Sequence, residues 1–250
     1  MDIGIVTGAS AGLGWEFAQQ IDARYNLDEL WIIARREARL EELAGLLNTP
    51  VKILGLDLTS KADISELEKL LRDGDYRLQL LVNNAGFGKR GNFANIDLDA
   101  QLDIVDLNVR AVVHITHLTL PYMQRGDQII QVASSAGFLP MGGFAVYAAS
   151  KAFVTNFSNA IAAELRDKGI IVTAVCPGPV ATEFQSISGS NPAETRYLGG
   201  STAEEVVKKA LQDVRRGKWF SIYGFMMNLL PFLTRITTRK LQAKLAMWRG

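Results

Sequence analysis

A single cysteine, Cys176, rules out an intrachain disulfide and fits a reducing compartment, so cytoplasmic localisation is expected. Only two histidines are present, His114 and His117, in one helix-like stretch without nearby carboxylates. With no cysteine cluster either, no metal site is expected, and packing or an interface is the reading for the pair. Neither sign of charge dominates: 27 Lys and Arg against 26 Asp and Glu leave a formal net charge of +1, which offers no electrostatic ground for nucleic-acid binding. The apolar stretch 219–234 carries no charge, but it is shorter than the roughly 20 residues that span a bilayer, and Asn228 and Pro231 interrupt it. A transmembrane helix is therefore not expected. The chain opens on a strand-like run, 3–6, without the pattern of a secretory leader.

What is present is ordinary globular composition, 48% hydrophobic and 21% charged over 250 residues, enough for one well-buried α/β domain. Apolar, non-alternating runs at 3–7, 30–34, 51–56, 78–82, 128–133 and 170–175 read as buried strands. Helix-forming stretches reach to about residue 24, then cover 37–47, 60–71 with Ser60 as N-cap, 98–123, and 147 to about 168. Strands alternating with helices of this length imply right-handed crossovers and a parallel sheet covered on both faces. A stretch rich in Ser, Gly, Asn and Thr, about 183–203, breaks the pattern and is expected to be a lid loop beyond a strand end.

Gly8, Gly12 and Gly14 lie between the first strand and the first helix. A pyrophosphate site needs such glycines for a tight turn, for close backbone approach, and for aiming a helix N-terminus at negative charge. The spacing is G-x-x-x-G-x-G rather than G-x-G-x-x-G. At the end of the second strand, where an acidic residue would take the ribose hydroxyls of NAD, the chain carries Arg35 and Arg36. Paired guanidiniums suit the 2′-phosphate of NADP. The competing reading is a solvated helix start beside Glu37, although a helix N-terminus is a poor place for cations without an anion. Asp57 ends the third strand and serves either the adenine amino group or the following turn.

Tyr147 and Lys151, four residues apart, share one helix face. A nearby cation lowers the pKa of a phenol, ordinarily near ~10, towards the range of acid–base catalysis. The pair alone recurs on many solvated helices and acquires meaning only from its company.

That company is Thr7-Gly8-Ala9-Ser10-Ala11-Gly12-Leu13-Gly14, Asn83-Asn84-Ala85-Gly86, Leu107-Asn108-Val109, Ala133-Ser134-Ser135-Ala136-Gly137, Tyr147-Ala148-Ala149-Ser150-Lys151 and Pro177-Gly178-Pro179-Val180-Ala181-Thr182. Six motifs in this order resemble the short-chain dehydrogenase/reductase family over almost the whole chain. The resemblance implies a single Rossmann-type domain, residues 1–250, with a doubly wound parallel sheet of about seven strands and helices on both faces. It implies Ser134 rather than Ser135 as the catalytic serine, 13 residues before the tyrosine and three before the glycine. It further implies that Tyr147 is the general acid, that Lys151 lowers its pKa and holds the nicotinamide ribose, and that Asn108 orders a water leading from Lys151 to solvent. By the same resemblance the cofactor would be held by Ser10, Leu13, Asp57, Leu58, Asn84, Ala85, Gly86, Pro177, Gly178, Val180 and Thr182, besides the three glycines, the two arginines, Tyr147 and Lys151. Ala11 stands where many NADP-using relatives carry a basic residue, and Gln79 replaces an aspartate often found before Asn-Asn-Ala-Gly.

The expected protein is an NADP(H)-dependent oxidoreductase moving hydride between nicotinamide and a carbonyl or secondary alcohol. A 3-hydroxy acid or a sugar-like alcohol is an alternative substrate. An NADP(H)-binding redox sensor without turnover is an alternative of another class, opposed by the intact Ser134, Tyr147 and Lys151. The family's habit implies a homodimer or homotetramer. After Asp213 the chain has no acidic residue, while Arg215, Arg216, Lys218, Arg235, Arg239, Lys240, Lys244 and Arg249 surround the apolar 219–234. This C-terminal extension, about 219–250, with its last strand expected at 222–223, serves as a pocket wall, a subunit interface or a face lying on a membrane. A pocket wall favours a hydrophobic or acyl-type substrate.

Overall fold

A computed structural model describes residues 1–189 and 200–247. Its frame is one seven-stranded sheet: β1 (Asp2–Thr7), β2 (Glu29–Ile33), β3 (Val51–Leu54), β4 (Arg77–Asn83), β5 (Gln128–Val132), β6 (Ile171–Val175) and β7 (Phe220–Ser221). The strand order is β3-β2-β1-β4-β5-β6-β7, and every pairing is parallel. The last strand lies two residues earlier than expected, because Ser221 rather than Tyr223 pairs with Val175.

Helices cover both faces, as buried, non-alternating strands demand. On one face α1 (Gly12–Asp22), α2 (Glu37–Ala44) and α8 (Ala203–Arg215) bring Phe17, Ile21, Leu40, Leu43, Val207 and Leu211 onto Val6, Ile32 and Val82. On the other, α3 (Lys61–Asp73), α5 (Val112–Thr119) and α6 (Ala145–Glu164) set Ile64, Leu67, Ile115 and Ile161 against Ile5, Trp31, Leu81 and Ile129. Ser60 caps α3 by accepting from the amide of Asp63.

The single helix expected over 98–123 is broken into pieces. α4 (Leu98–Val105) passes through a π-helical segment, Asp106–Ala111, into α5, and Pro121 sits in a closing 3₁₀ turn, Leu120–Tyr122. The π segment carries Asn108, whose side chain is fully buried; such bulges often mark functional positions. The expected 183–203 loop begins with a short helix, α7 (Phe184–Ser188), and Ser201 returns to bridge Val180; its middle, 190–199, lies outside the described residues.

The C-terminal end of α8 is tied to β7 through Asp213, buried to 2% exposure, with Lys209 Nζ at 2.7 Å and Lys218 Nζ at 2.8 Å. Burial pushes this carboxyl up, but hydrogen bonds from Lys209, Lys218 and Ser221 outweigh it and hold it below the usual range. A depressed carboxylate contributes stability above its unfolded pKa that is lost as pH falls through the folded value. Asp213→Asn is expected to cost about 2 kcal/mol at pH 7, roughly 4–8 °C in Tm, and the gap should close on acidification below about 4. Thermal melts of both proteins against pH check this.

Candidate active site

The carboxyl ends of the parallel strands open into one cleft of about 740 Å³, centred where the strand order reverses between β1 and β4. Its floor at β1 is glycine for steric reasons. Gly8 (φ +66°) and Gly12 (φ +56°) adopt left-handed backbone, and a Cβ on Gly14 would lie 2.2 Å from the Gly8 carbonyl oxygen. Asn84 locks this turn from β4, its Nδ2 donating to the carbonyls of Thr7 and Gly8. Thr7 Oγ1 in turn accepts from the amides of Asn84 and Ala85. The cleft-lining backbone is therefore fixed by side chains behind it.

At one end of the cleft stand Arg35, Arg36, Asp57, Leu58 and Thr59. Arg36 donates from Nε to Ser10 Oγ at 3.2 Å, from Nη2 to Ser10 O at 3.3 Å, and from Nη1 to Glu183 Oε2 at 3.0 Å. It is the Ncap residue of α2, half exposed, and its hydrogen bonds run to the glycine turn and to Glu183. Arg35 is largely exposed, with Nη1 3.8 Å from Asp57. Asp57 Oδ1 accepts from the amide and hydroxyl of Thr59, which is the turn-capping role, and its other oxygen faces Arg35. Burial raises its carboxyl, but the Thr59 hydrogen bonds and Arg35 leave it below the usual range.

Tyr147 and Lys151 line the other end, with Val132, Ala133, Val180, Thr182 and Phe184. Tyr147 is buried, stacked on Phe144 at 4.3 Å between ring centroids and tilted against Phe184 at 5.3 Å. Its hydroxyl and that of Ser134 hydrogen-bond one another, and Ser134 Oγ accepts from the Ala136 amide at 3.1 Å. Burial pushes the phenol up to about 12, against smaller lowering by Ser134 and Arg90. The expected lowering by Lys151 is not what this geometry gives. The ammonium lies 5.8 Å from the ring centroid and donates to Val132 O at 2.7 Å. Burial brings Lys151 down to about 8, with Cys176 opposing weakly. Desolvation acts on both groups and favours the neutral form of each.

Asn108 reaches the site indirectly. Its Oδ1 accepts from the Phe87 amide at 3.0 Å, and its Nδ2 donates to Phe87 O and to Ser150 Oγ. Ser150 Oγ donates to Tyr147 O, so Asn108 ties the loop following β4 to the Tyr147 helix. A Cβ on Gly86 would fall 2.8 Å from Asn108 Oδ1 and 3.3 Å from Lys151 Nζ, which puts all three at one spot.

Gly8, Ser10, Gly12, Leu13, Asn84, Ala85, Gly86, Pro177, Val180 and Thr182 line the cleft. Four expected residues are not among its lining: Gly14 packs behind the turn, Ser134 hydrogen-bonds Tyr147, Gly178 backs onto Met227, and Asn108 is fully buried against Phe87 and Ser150. The sequence reading missed Glu183, Phe144, Phe184 and Ser150. Phe144 stands three residues before Tyr147, a spacing that could have flagged it; Glu183 follows the last motif without a pattern of its own. His114 and His117 are exposed on α5, which removes packing as their role, and no metal-binding cluster occurs among the described residues.

The left-handed glycine turn, the open helix N-terminus and a cleft running from two guanidiniums to a Tyr–Ser–Lys group fit an elongated dinucleotide. Residues 2–192 match the family described as short chain dehydrogenase. Sulfoacetaldehyde reductase 2 of Chromohalobacter salexigens is 35% identical over 219 residues, 83% of this chain and 86% of that protein. The 17-beta-hydroxysteroid dehydrogenase type 3 of Rattus norvegicus is 30% identical over 246 residues, 91% of this chain and 76% of its own. A short-chain dehydrogenase from Sphingobium yanoikuyae, solved in complex with NADPH, superposes with a TM-score of 0.79 at 28% identity, covering 89% of this chain and 87% of that one.

Proposed function

The chain belongs to the short-chain dehydrogenase family, an oxidoreductase acting on alcohol and carbonyl groups, and from that premise we propose that it is an NADP(H)-dependent reductase of a hydrophobic or acyl-type carbonyl. The observation that carries the cofactor choice is Arg36, held over the glycine turn by Ser10 with Arg35 beside it, where NAD specificity would call for a carboxylate. The NADPH-bound Sphingobium relative supports it. A 3-hydroxy acid or sugar-like alcohol remains the second reading for the substrate.

Gly8, Ser10, Gly12, Leu13, Asn84, Ala85, Gly86, Val180 and Thr182 would hold the dinucleotide, with Arg35 and Arg36 on its 2′-phosphate. Bound there, the nicotinamide supplies or accepts the hydride. The protein's part is a proton and a position. Tyr147, protonated far above neutral pH, gives its phenolic proton to the carbonyl oxygen in reduction. Ser134 shares a hydrogen bond with that phenol and orients the same oxygen. Lys151, buried on the same helix face and charged below about pH 8, would hold the nicotinamide ribose with its ammonium. Asn108 acts as a positioning residue through Phe87 and Ser150. Phe144, Phe184 and Met141 pack around Tyr147 and exclude water there, which suits an apolar substrate.

One folded unit over 1–250 and a homo-oligomer belong to the same reading. The exposed Leu102, Val105, Val113 and Phe153 on α4, α5 and α6 support association through those helices. A single buried Cys176 supports a cytoplasmic setting.

Titration of the protein with NADPH and NADH, followed by cofactor fluorescence, tests the proposal. NADPH should bind at least about tenfold more tightly, since a charge-assisted hydrogen bond contributes about 1.5–3 kcal/mol. Equal affinities would overturn the NADP assignment, and no binding of either would overturn the enzyme.

A further inference from the structure

Beyond β7 the chain builds two helices whose outer surface is apolar. In α9 (Phe225–Ile236) the exposed residues Leu229, Phe232, Leu233 and Ile236 follow the i, i+3, i+4, i+7 spacing of one helix face. Phe232 is 60% and Ile236 66% exposed, the reverse of the pattern that helices packed on a core display. α10 (Arg239–Leu245) continues with Leu241 and Leu245, the latter 78% exposed. The two helices are held to each other. Gln242, almost completely buried, donates to Thr234 O and Thr237 O across the link, and Thr238 caps α10. They are also anchored below: Asn228 donates to Ile222 O, and a Cβ on Gly142 would come within 3.2 Å of Met247 Cγ.

Arg235, Arg239, Lys240 and Lys244 are exposed on the same pair of helices, and no ion pair among the described residues reaches any of them. No acidic residue follows Asp213 anywhere in the chain. We propose that this α9–α10 face docks onto an anionic membrane surface, the apolar residues entering the headgroup boundary and the four cations meeting lipid phosphates and carboxylates. An apolar face with only basic charge around it is the composition such interfacial helices require. Among the described residues no helix is long and apolar enough to cross a membrane, so the contact is peripheral.

Charge also decides against a second copy of the chain. A two-fold interface places a patch against itself. Here it would oppose Arg235, Arg239, Lys240 and Lys244 to their own copies, with no carboxylate on either helix to answer them. An anionic bilayer answers all four. The docked helices adjoin the segment between Ser134 and Tyr147, through Gly142 against Met247 and Arg239 on Phe138 O. Docking therefore stations the cleft's catalytic end close to the lipid.

Co-sedimentation of the full chain with phosphatidylcholine vesicles, with and without about 30% phosphatidylserine, tests this. The protein should pellet with the anionic vesicles at low salt, stay in solution with phosphatidylcholine alone, and be released by about 0.5 M salt. The double variant Lys240→Gln/Lys244→Gln should bind about 25-fold more weakly, at roughly fivefold per charge. Phe232→Glu/Ile236→Glu should abolish binding, with unchanged thermal melting showing that both variants fold. Absence of binding to anionic vesicles overturns the proposal. So does a change in sedimentation mass of the lipid-free protein on Phe232→Glu/Ile236→Glu, which would make the face a subunit contact.

Discussion

Tyr147→Phe should lower carbonyl reduction by about 10³-fold, roughly 4 kcal/mol of transition-state stabilisation, while leaving dinucleotide affinity and thermal stability close to those of the parent. The substitution is unusually clean here. The ring is stacked on Phe144 and tilted against Phe184, and phenylalanine keeps both contacts. Only the hydroxyl goes, and its partner Ser134 retains the Ala136 amide. Lost turnover with intact binding therefore isolates the proton, and unchanged turnover would remove Tyr147 from the reaction. The pH profile adds a second reading. With the phenol at about 12 and Lys151 at about 8, the acid stays protonated across the working range while the lysine loses its charge. Reduction should hold level below about pH 8 and decline above it, because the ammonium that would hold the nicotinamide ribose then loses its charge. In Lys151→Met that decline should vanish, leaving a slow, flat profile. A steady-state profile of kcat for both proteins measures it.

The architecture was legible because each layer of it has a local cause. Strands such as 30–34 and 78–82 are apolar without alternation, which only a sheet covered on both faces accepts, and the glycines at 8, 12 and 14 can be read as a turn before any partner is known. Motif order then carried the family. What escaped was whatever depends on partners distant in sequence. The π segment at Asp106–Ala111 is invisible to a 3.6-residue period, and it carries Asn108, whose partners Phe87 and Ser150 lie far away in sequence. Glu183 stands 147 residues from Arg36, and nothing in either stretch announces their pairing. The simple electrostatic expectation for Tyr147 failed for a related reason. Spacing placed Lys151 on the correct helix face, but not its hydrogen bond to Val132 O nor the burial that raises the phenol. The polar or apolar character of a stretch is local, whereas desolvation is set by everything packed around it.

That distant pairing shapes the prediction for cofactor choice. Arg36→Ala should weaken NADPH binding about 30-fold or more, with NADH affinity nearly unchanged, because a guanidinium–phosphate contact is charge-assisted and only one of the two ligands carries the phosphate. Arg35→Ala should cost less, about threefold to fivefold, since that side chain is 74% exposed and its charge is screened by water and shared with Asp57. Stability should hardly move in either variant, as exposed pairs contribute little. Glu183 supplies the converse. Its carboxylate lies 3.0 Å from Arg36 Nη1, on the guanidinium that a 2′-phosphate would have to share. Removing that negative charge with Glu183→Gln relieves a like-charge repulsion in the bound state, so NADPH should bind several-fold more tightly and NADH should not respond. Calorimetric titration of the three variants with both nucleotides separates the outcomes. If Arg36→Ala weakens NADPH and NADH equally, Arg36 holds the glycine turn through Ser10 rather than the phosphate, and the basis for choosing NADP is gone.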